Sequence, residues 1–223
     1  ADPGTSDVAF EGVSFEHSTW ARPSQGLGYV EQQSGALVSA PANDGNCDAS
    51  LWKSMQGSPV FNGTRGSSFA NCTFQKLGAH ALFLTGGAQR SVVDRRTFTD
   101  VSGAGVQLGD FDTNGVTDPG LQERANAVEN CVMDGVAAEY HGNAAVSVGY
   151  AADTTVAHNE LRNLTYTGVS IGWGWSRVAD NDTYAANNAV EYNYVHNFKT
   201  LLGDGGGLYA LGPTARQHHA LQL

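Results

Sequence analysis

A repeated pattern of short apolar segments constrains this chain more than any other feature. Each copy has an apolar anchor and a second apolar residue five positions earlier, and the anchors lie 24 to 34 residues apart. The segments are FANCTF, VDRRTF, AVENCV, VAHNEL and VEYNYV, with anchors Phe74, Phe98, Val132, Leu161 and Val195 and earlier residues Phe69, Val93, Ala127, Val156 and Val190. Such self-similarity indicates an array in which each repeat packs on the next.

A second apolar segment follows most anchors and ends in or near glycine: ALFLTG (81–86), GVQLG (105–109), AVSVG (145–149), GVSIG (168–172) and GLYALG (207–212). Alternation along a strand turns Val169 and Ile171 inward. It leaves a second set facing outward: Gln107, Ser147, Ser170 and Tyr209. A shared position two residues before an anchor is occupied by Asn130, Asn159 and Asn193, whose amides can form a ladder between repeats.

The pattern predicts an all-β fold, a single-stranded right-handed parallel β-helix (solenoid) with long loop insertions. A β-sandwich is the alternative, although it would show hairpin turns rather than recurring positions. We expect one domain over 1–223, with 1–4 as a processed or cloning-derived end and 213–223 as a tail or cap. The insertions fall at 21–66, 110–126, 137–144 and 174–188 and should gather into a binding face. Unpaired strands at the open ends predict homo-oligomer formation.

Composition restricts the partners. The net charge of −10 argues against nucleic acid, which needs a basic face. It also disfavours a polyanionic glycan unless a local Arg or a metal offsets the charge, so a neutral carbohydrate suits the chain better. No apolar run reaches the roughly 18 residues of a membrane span. Three cysteines (Cys47, Cys72, Cys131) allow at most one disulfide, and four N-x-[ST] sequons (Asn62, Asn71, Asn163, Asn181) favour an extracellular location.

Two tryptophans follow one of the strand segments in the run GWGW. Because alternate residues share a side, Trp173 and Trp175 should project together. Indole faces stack on sugar rings, so both are candidate substrate-binding residues, while the alternative is that they anchor the core or a loop.

Asp204 lies in the run Leu-Gly-Asp-Gly-Gly-Gly, where glycines let the backbone approach a ligand. An Asp-Gly turn is the alternative interpretation. Glycosidic hydrolysis normally requires a second carboxylate, and Glu139 and Asp134 are the candidates we favour over Asp153, Asp180, Asp182 and Glu191. Asp134 shares a predicted column with Asp100, Asn163 and Asn197, each two residues after an anchor.

Glu139, Tyr140 and His141 form a cluster of acid, aromatic and base within one insertion, although a solvated loop would have the same composition. Tyr140 and His141 are therefore candidate substrate-binding residues, together with Tyr166 and Tyr209.

The run GDFDTNGVTD resembles a calcium loop. Asp110, Asp112, Asn114 and Asp118 occupy positions 1, 3, 5 and 9, whereas position 12 is Leu121 rather than an acid. We expect no required cofactor and keep a structural calcium ion as a candidate, with an ordinary Asp/Asn/Gly loop as the alternative.

Several stretches resemble secreted right-handed β-helix glycoside hydrolase-like proteins: FEGVSFEHSTWARPS, GAHALFLTGGAQ, EYHG, GVSIGWGW, EYNYVHNF and GDGGGLYALGP. The group includes β-helix fucosidases and xylosidases and, more distantly, polysaccharide lyases. The resemblance implies a retaining or inverting hydrolase that uses acidic side chains in a groove, with Asp204 matching the acid of the DGGG motif.

Two departures from this group motivate a rival hypothesis. Where relatives read HDxPY this chain has RNLTY, so Asn163 stands at the position of an acid and cannot act as one. Relatives also continue through further repeats after the DGGG strand. The rival is a non-catalytic protein, a truncated or decoy form that binds carbohydrate or protein. A calcium-dependent lyase using Arg162 or Arg177 is a third hypothesis.

Overall fold

Three parallel sheets of six strands each make up most of the molecule. The computed structural model describes residues 3–25, 29, 32–38, 52–174 and 183–212. Sheet I contains β1 (Ala9–Glu11), β6 (Ser68–Ala70), β9 (Val92–Asp94), β12 (Ala127–Glu129), β15 (Thr155–Ala157) and β18 (Ala189–Glu191). Sheet II contains β2 (Ser14–Ser18), β7 (Thr73–Leu77), β10 (Thr97–Val101), β13 (Val132–Val136), β16 (Glu160–Arg162) and β19 (Tyr194–His196).

Sheet III contains β5 (Val60–Asn62), β8 (Leu82–Thr85), β11 (Val106–Leu108), β14 (Ala144–Val148), β17 (Thr167–Ile171) and β20 (Leu208–Ala210). One antiparallel pair, β3 (Ala36–Val38) and β4 (Trp52–Ser54), lies within the first insertion. Short 3-10 turns occupy Arg22–Ser24, Gln33–Gly35 and Pro119–Leu121. The chain visits sheets I, II and III in turn, so a repeat is a set of three strands, one per sheet. Repeat 1 begins at β1 and repeat 6 at β18.

The all-β class and the parallel pairing are confirmed, but the prediction of a single-stranded β-helical solenoid is wrong. The strands pair into three separate six-stranded sheets side by side, and the first insertion adds an antiparallel pair. The sequence pattern had resolved only two strands per repeat. Recurring apolar residues reveal which segments are neighbours, but they carry no information on how many sheets those neighbours form.

The register corrects one copy of the repeat by a single residue. Met133, not Val132, pairs with Phe98 and Leu161, and Val128, not Ala127, pairs with Val93. Two apolar residues are adjacent at each of these places, so the pattern could not choose between them. As a result Cys131 rather than Asn130 faces Asn159, and Gly135 rather than Asp134 aligns with Asp100 and Asn163.

The main core lies between the three sheets and draws apolar side chains from each of them. Phe15, Phe74 and Phe98 stack across three neighbouring repeats, with ring centroids 4.8 and 4.7 Å apart. Outside this core, the side chains of sheet III that were predicted to face outward do align from strand to strand. It is nonetheless covered: Gln107, Ser147 and Ser170 are at most 1% exposed. The hydroxyl of Ser170 lies 2.7 Å from that of Ser34, so the first insertion packs over sheet III.

The strands of repeats 1 and 6 are the edge strands of the three sheets within the described residues. Association through these ends stays a prediction. Across the same residues, no helix has the length and apolar character needed to cross a bilayer.

Candidate functional site

Asp204 lies in the turn between sheets II and III of repeat 6, and its carboxylate is exposed. Oδ1 accepts a hydrogen bond from the backbone nitrogen of Gly205 at 2.8 Å, and Oδ2 accepts one from Gln33 Nε2 at 2.9 Å. Gly205 has a φ of +93°, and a Cβ there would lie 2.4 Å from Thr167 Oγ1 and 2.5 Å from a Tyr166 ring carbon. Glycine is therefore required for this turn to hold the carboxylate against Tyr166.

Gln33 connects Asp204 to two phenols. Its Nε2 lies 2.9 Å from the Tyr166 hydroxyl and 3.4 Å from the Tyr209 hydroxyl, in addition to the contact with Asp204. The two amide hydrogens can serve two of these three acceptors at a time. Asp204, Gln33, Tyr166 and Tyr209, which we call the Asp204 cluster, thus come from repeats 5 and 6 and from the first insertion.

The sequence pointed to three members of the Asp204 cluster and missed Gln33. The Gln33–Gly35 turn is fixed by a hydrogen bond from Ser34 N to the Gly142 carbonyl at 2.8 Å, and Ser34 has a φ of 59°. A Cβ at Gly35 would lie 2.0 Å from Asn143 Oδ1, so the turn is pressed closely against sheet III. Nothing in the repeat pattern marks this contact, because Gln33 is 171 residues away from Asp204 along the chain.

Tyr166 supplies a neutral hydroxyl beside the carboxylate. It is 2% exposed, and burial is the main reason why its pKa is raised, with the negative charge of Asp204 acting in the same direction. The phenol therefore keeps its proton around neutral pH. Its ring lies 6.3 Å from that of Tyr209, which is half-buried.

Glu139 lines a separate groove of about 350 Å³ with Asp100, Trp20 and Tyr140. Ser102 Oγ donates to Glu139 Oε2 at 2.8 Å, and the carboxylate is otherwise exposed. The Trp20 and Tyr140 rings meet edge to face at 5.3 Å, so an aromatic wall stands beside two acids. Asp100 and Trp20 were not selected from the sequence as site residues. Asp100 lies within the sheet II strand β10, two residues after its anchor Phe98, and Trp20 lies two residues after β2.

The turns between sheets II and III carry both acidic positions and rest on one another. Tyr140 N in repeat 4 donates to the Ser102 carbonyl in repeat 3 at 2.9 Å, and Leu201 N in repeat 6 donates to the Thr165 carbonyl in repeat 5 at 3.1 Å. Thr165 Oγ1 donates in turn to the His141 carbonyl at 3.1 Å. Glu139 and Asp204 are two repeats apart, an offset of about 9.5 Å along the stack at the usual spacing of strands.

Comparison with known proteins gives one informative similarity. No protein-family model and no curated protein matches the chain. A solved structure named "Glycoside hydrolase" matches with a TM-score of 0.80 and 27% sequence identity, over 93% of this chain and 37% of the solved chain. The fold is glycoside hydrolase-like. The chain spans little more than a third of that protein's length, and the match does not reach the narrower resemblance to fucosidases and xylosidases.

Trp173 is not available as a sugar platform in this structure. It is fully buried in a second apolar cluster, where its ring lies 4.1 Å from that of Phe111 and 5.9 Å from that of Trp52. The Tyr150 hydroxyl donates to its carbonyl at 3.2 Å. The position of this indole matches the alternative interpretation, in which the tryptophan anchors the core or a loop. Trp175, Asp180, Asn181, Asp182 and Arg177 lie outside the described residues.

Asp134 lies on the outer face of sheet II. It accepts hydrogen bonds from Asn163 Nδ2 at 2.6 Å and from Arg162 Nε at 3.0 Å, and these contacts lower its pKa, the bond from Asn163 most of all. Arg162 also contacts Glu160 at 2.6 Å. The Asp134 carboxylate is therefore charged and held by Arg162 and Asn163. Within the described residues, no hydrogen bond joins it to the Asp204 cluster. Gly135, not Asp134, occupies the column of Asp100 and Asn163, because the strand is shifted by one residue relative to the predicted register.

His141 is half-buried in the turn that also carries Glu139 and Tyr140, and its carbonyl accepts from Thr165. A substrate-binding role for His141 stays a prediction.

The candidate calcium loop uses its side chains in other ways. Asp110 is hydrogen bonded to Thr85, Asp112 is ion-paired with Lys53, and Asp118 accepts from Gly120 N at 2.8 Å. Burial raises the pKa of Asp110. No group of three potential metal ligands occurs within the described part of the chain. A calcium ion stays a prediction, as does the calcium-dependent lyase hypothesis.

Three of the sequons are described, and Asn62, Asn71 and Asn163 are all exposed. The amide nitrogen of Asn163 is held by Asp134, and its Oδ1 accepts from Asn197 at 2.6 Å. Cys72 and Cys131 are buried free thiols, and burial raises the pKa of Cys131 to about 12. Cys47 lies outside the described residues.

Proposed function

We propose that the chain hydrolyses a glycosidic bond in a glycan bound along the turns between sheets II and III. The observation that carries this proposal is the exposed carboxylate of Asp204, held by Gln33 and Gly205 beside two phenols. Hydrolysis needs an oriented carboxylate at the sugar and neighbouring donors for its hydroxyls. The glycoside hydrolase-like fold supports the same reaction class.

Glu139 is the second carboxylate in this proposal. Its side chain is exposed in a groove with an aromatic wall, and its turn is linked through Thr165 to the turn that carries Asp204. The offset of about 9.5 Å along the stack is a spacing between backbones, and the Glu139 carboxylate is bonded to Ser102 of repeat 3, on the side away from Asp204. The roughly 5 Å separation that retaining enzymes need is therefore not met. We assign Asp204 as the base that activates water, Glu139, once turned from Ser102 toward the substrate, as the acid, and inversion as the stereochemical outcome.

The Asp204 cluster explains how a water and a sugar would be placed. Gln33 and Gly205 each use one oxygen of the carboxylate, and every carboxylate oxygen can accept a further hydrogen bond from water or from a sugar hydroxyl. The half-buried Tyr209 is available to a sugar hydroxyl, while the buried Tyr166 orients the same Gln33 amide. An extracellular location forms part of the proposal, and the exposure of Asn62 and Asn71 supports it.

A non-catalytic glycan-binding protein is the second candidate. Asn163 favours it, because the resemblance noted in the sequence implies an acid at this position, whereas the amide here is bound to Asp134 and Asn197. In that case the same turns would bind a glycan without cleaving it.

A screen of aryl glycosides and polysaccharides with purified protein separates these candidates. We expect release of reducing sugar by the wild type, and losses of roughly 10²- to 10⁴-fold for Asp204→Asn and for Glu139→Gln. Glu11→Gln is the matched control, since it removes an exposed carboxylate from β1. NMR of the first product anomer should show inversion. Binding without turnover would establish the second candidate, and full activity in Asp204→Asn would refute the assignment of the base.

A further inference from the structure

Trp20 also lines a second cavity, of about 420 Å³, that the proposed reaction does not use. The 3-10 turn Arg22–Ser24 forms one side, closed by a hydrogen bond from Gln25 N to the Arg22 carbonyl at 3.0 Å. Side chains three residues apart eclipse each other in such a turn, which is why Arg22 and Gln25 both reach this cavity. Leu37 and Lys53, directly paired across β3 and β4, form part of another side.

The cavity is cationic in a chain that has only 12 lysines and arginines against 22 acids. Lys53 is ion-paired with Asp112, which leaves Arg22 as the uncompensated charge. Within the described residues Arg22 forms no ion pair, and its Nε is buried without a hydrogen-bond partner. Because Arg22 lines the cavity without an anionic partner among the described residues, a carboxylate that enters it would gain a charge-assisted hydrogen bond from the guanidinium.

We propose that this cavity binds the carboxylate of a uronic acid residue in the glycan, an inference that rests on the proposed function. The terminal nitrogens of the Arg22 guanidinium would engage the carboxylate, because their paired N–H donors match the two carboxylate oxygens. Gln25 and Gln56 line the same cavity, and their amides can form hydrogen bonds with sugar hydroxyls.

Trp20 connects the two parts of the binding surface. Its ring belongs to the lining of both the groove with Asp100 and Glu139 and the cavity with Arg22. A glycan that crosses Trp20 would therefore place a neutral sugar near the acids and a uronate near the arginine. The net charge of −10 disfavours a uniform polyanion. A mostly neutral glycan with isolated uronates suits a cavity in which Arg22 has no ion-pair partner among the described residues.

The test uses immobilised protein and a pool of oligosaccharides from partial hydrolysis of glucuronoxylan, a neutral xylan backbone that carries isolated uronates. Half of the pool is reduced at its carboxyl groups, which keeps the sugars but removes the charge. Retained oligosaccharides are measured by mass spectrometry. We expect the acidic pool to yield species retained roughly ten- to hundredfold more tightly than their reduced forms. Equal retention of the two pools, or no retention of acidic species, would overturn the proposal.

Variants assign the effect to Arg22. Arg22→Gln should lower retention of the acidic species to that of the reduced pool, and Arg22→Lys should recover part of it because it restores charge without the planar fork. Arg90→Gln is the matched control, since Arg90 is exposed in a turn before sheet I. Urea midpoints within error of the wild type would show that each variant is folded. Unchanged retention in Arg22→Gln would refute the assignment.

The two proposals fail in different ways. Turnover of neutral glycans without any preference for uronates would leave the hydrolase and remove the uronate site. Arg22-dependent retention of uronates without turnover of any glycan would leave the binding site and remove the hydrolase.

Discussion

Substitution of Asn159 by alanine tests the register of the repeats directly. Asn159 is 1% exposed, and its amide joins three repeats. Oδ1 accepts from Cys131 N at 2.9 Å, and Nδ2 donates to the Val128 carbonyl at 2.9 Å and to Asn193 Oδ1 at 2.8 Å. Asn193 Nδ2 continues the ladder by donating to the Val156 carbonyl at 2.8 Å.

The expected loss of stability follows from the two backbone groups that alanine leaves without a hydrogen-bond partner. The backbone nitrogen of Cys131 and the carbonyl of Val128 would both lose their partner inside the molecule. Each buried group without a partner costs about 1 to 3 kcal/mol, so we expect Asn159→Ala to lower the free energy of unfolding by about 2 to 5 kcal/mol.

Asn130 gives the matched control, because the sequence pattern had placed it in the same column as Asn159. In the structure it is exposed and has a φ of 55°, and its amide donates to Asp94 Oδ1 at 2.7 Å. Asn130→Gly removes that exposed contact and tolerates the positive φ, so we expect a loss below about 1 kcal/mol.

Urea unfolding followed by far-ultraviolet circular dichroism measures both variants against the wild type. A shift of the midpoint with an unchanged slope reports a change in stability. A loss in Asn130→Gly equal to or greater than that in Asn159→Ala would refute the register and the ladder built on it.

Three further predictions concern buried or constrained groups. Burial raises the pKa of Glu123, so its contribution to stability is fully present below its ordinary pKa and is lost as pH rises through the raised value. Glu123→Gln should remove this part of the dependence of the urea midpoint on pH, and an unchanged dependence would contradict it. Burial lowers the pKa of His80 to about 3, so its NMR ring signals should not shift between about pH 8 and pH 5, and a titration in that range would contradict this. Gly205→Ala should displace Asp204, because the added Cβ meets Thr167 and Tyr166; loss of glycan turnover or binding with a retained fold is expected, and wild-type behaviour would refute the constraint.

Much of the fold could be predicted from the sequence, since parallel stacking aligns equivalent residues. The anchors Phe74, Phe98, Leu161 and Val195 lie in aligned positions of sheet II. The pattern was wrong at Val132 because Met133 beside it is equally apolar, and that one-residue error moved Asp134 and Asn130 into columns where they do not belong. It also missed the third strand of each repeat, whose three residues are too few to show alternation.

The candidate site likewise has parts that the sequence predicted and parts that it could not predict. The sequence by itself indicated Asp204, because the glycine that follows it can take a turn that other residues cannot, and it indicated the strands that bring Tyr166 and Tyr209 near. Only the tertiary structure decided that Gln33 holds Asp204, that Trp173 is buried and that Arg22 has no counter-ion among the described residues. Local sequence determines strands and turns, whereas contacts across 171 residues depend on how an insertion packs over a finished sheet.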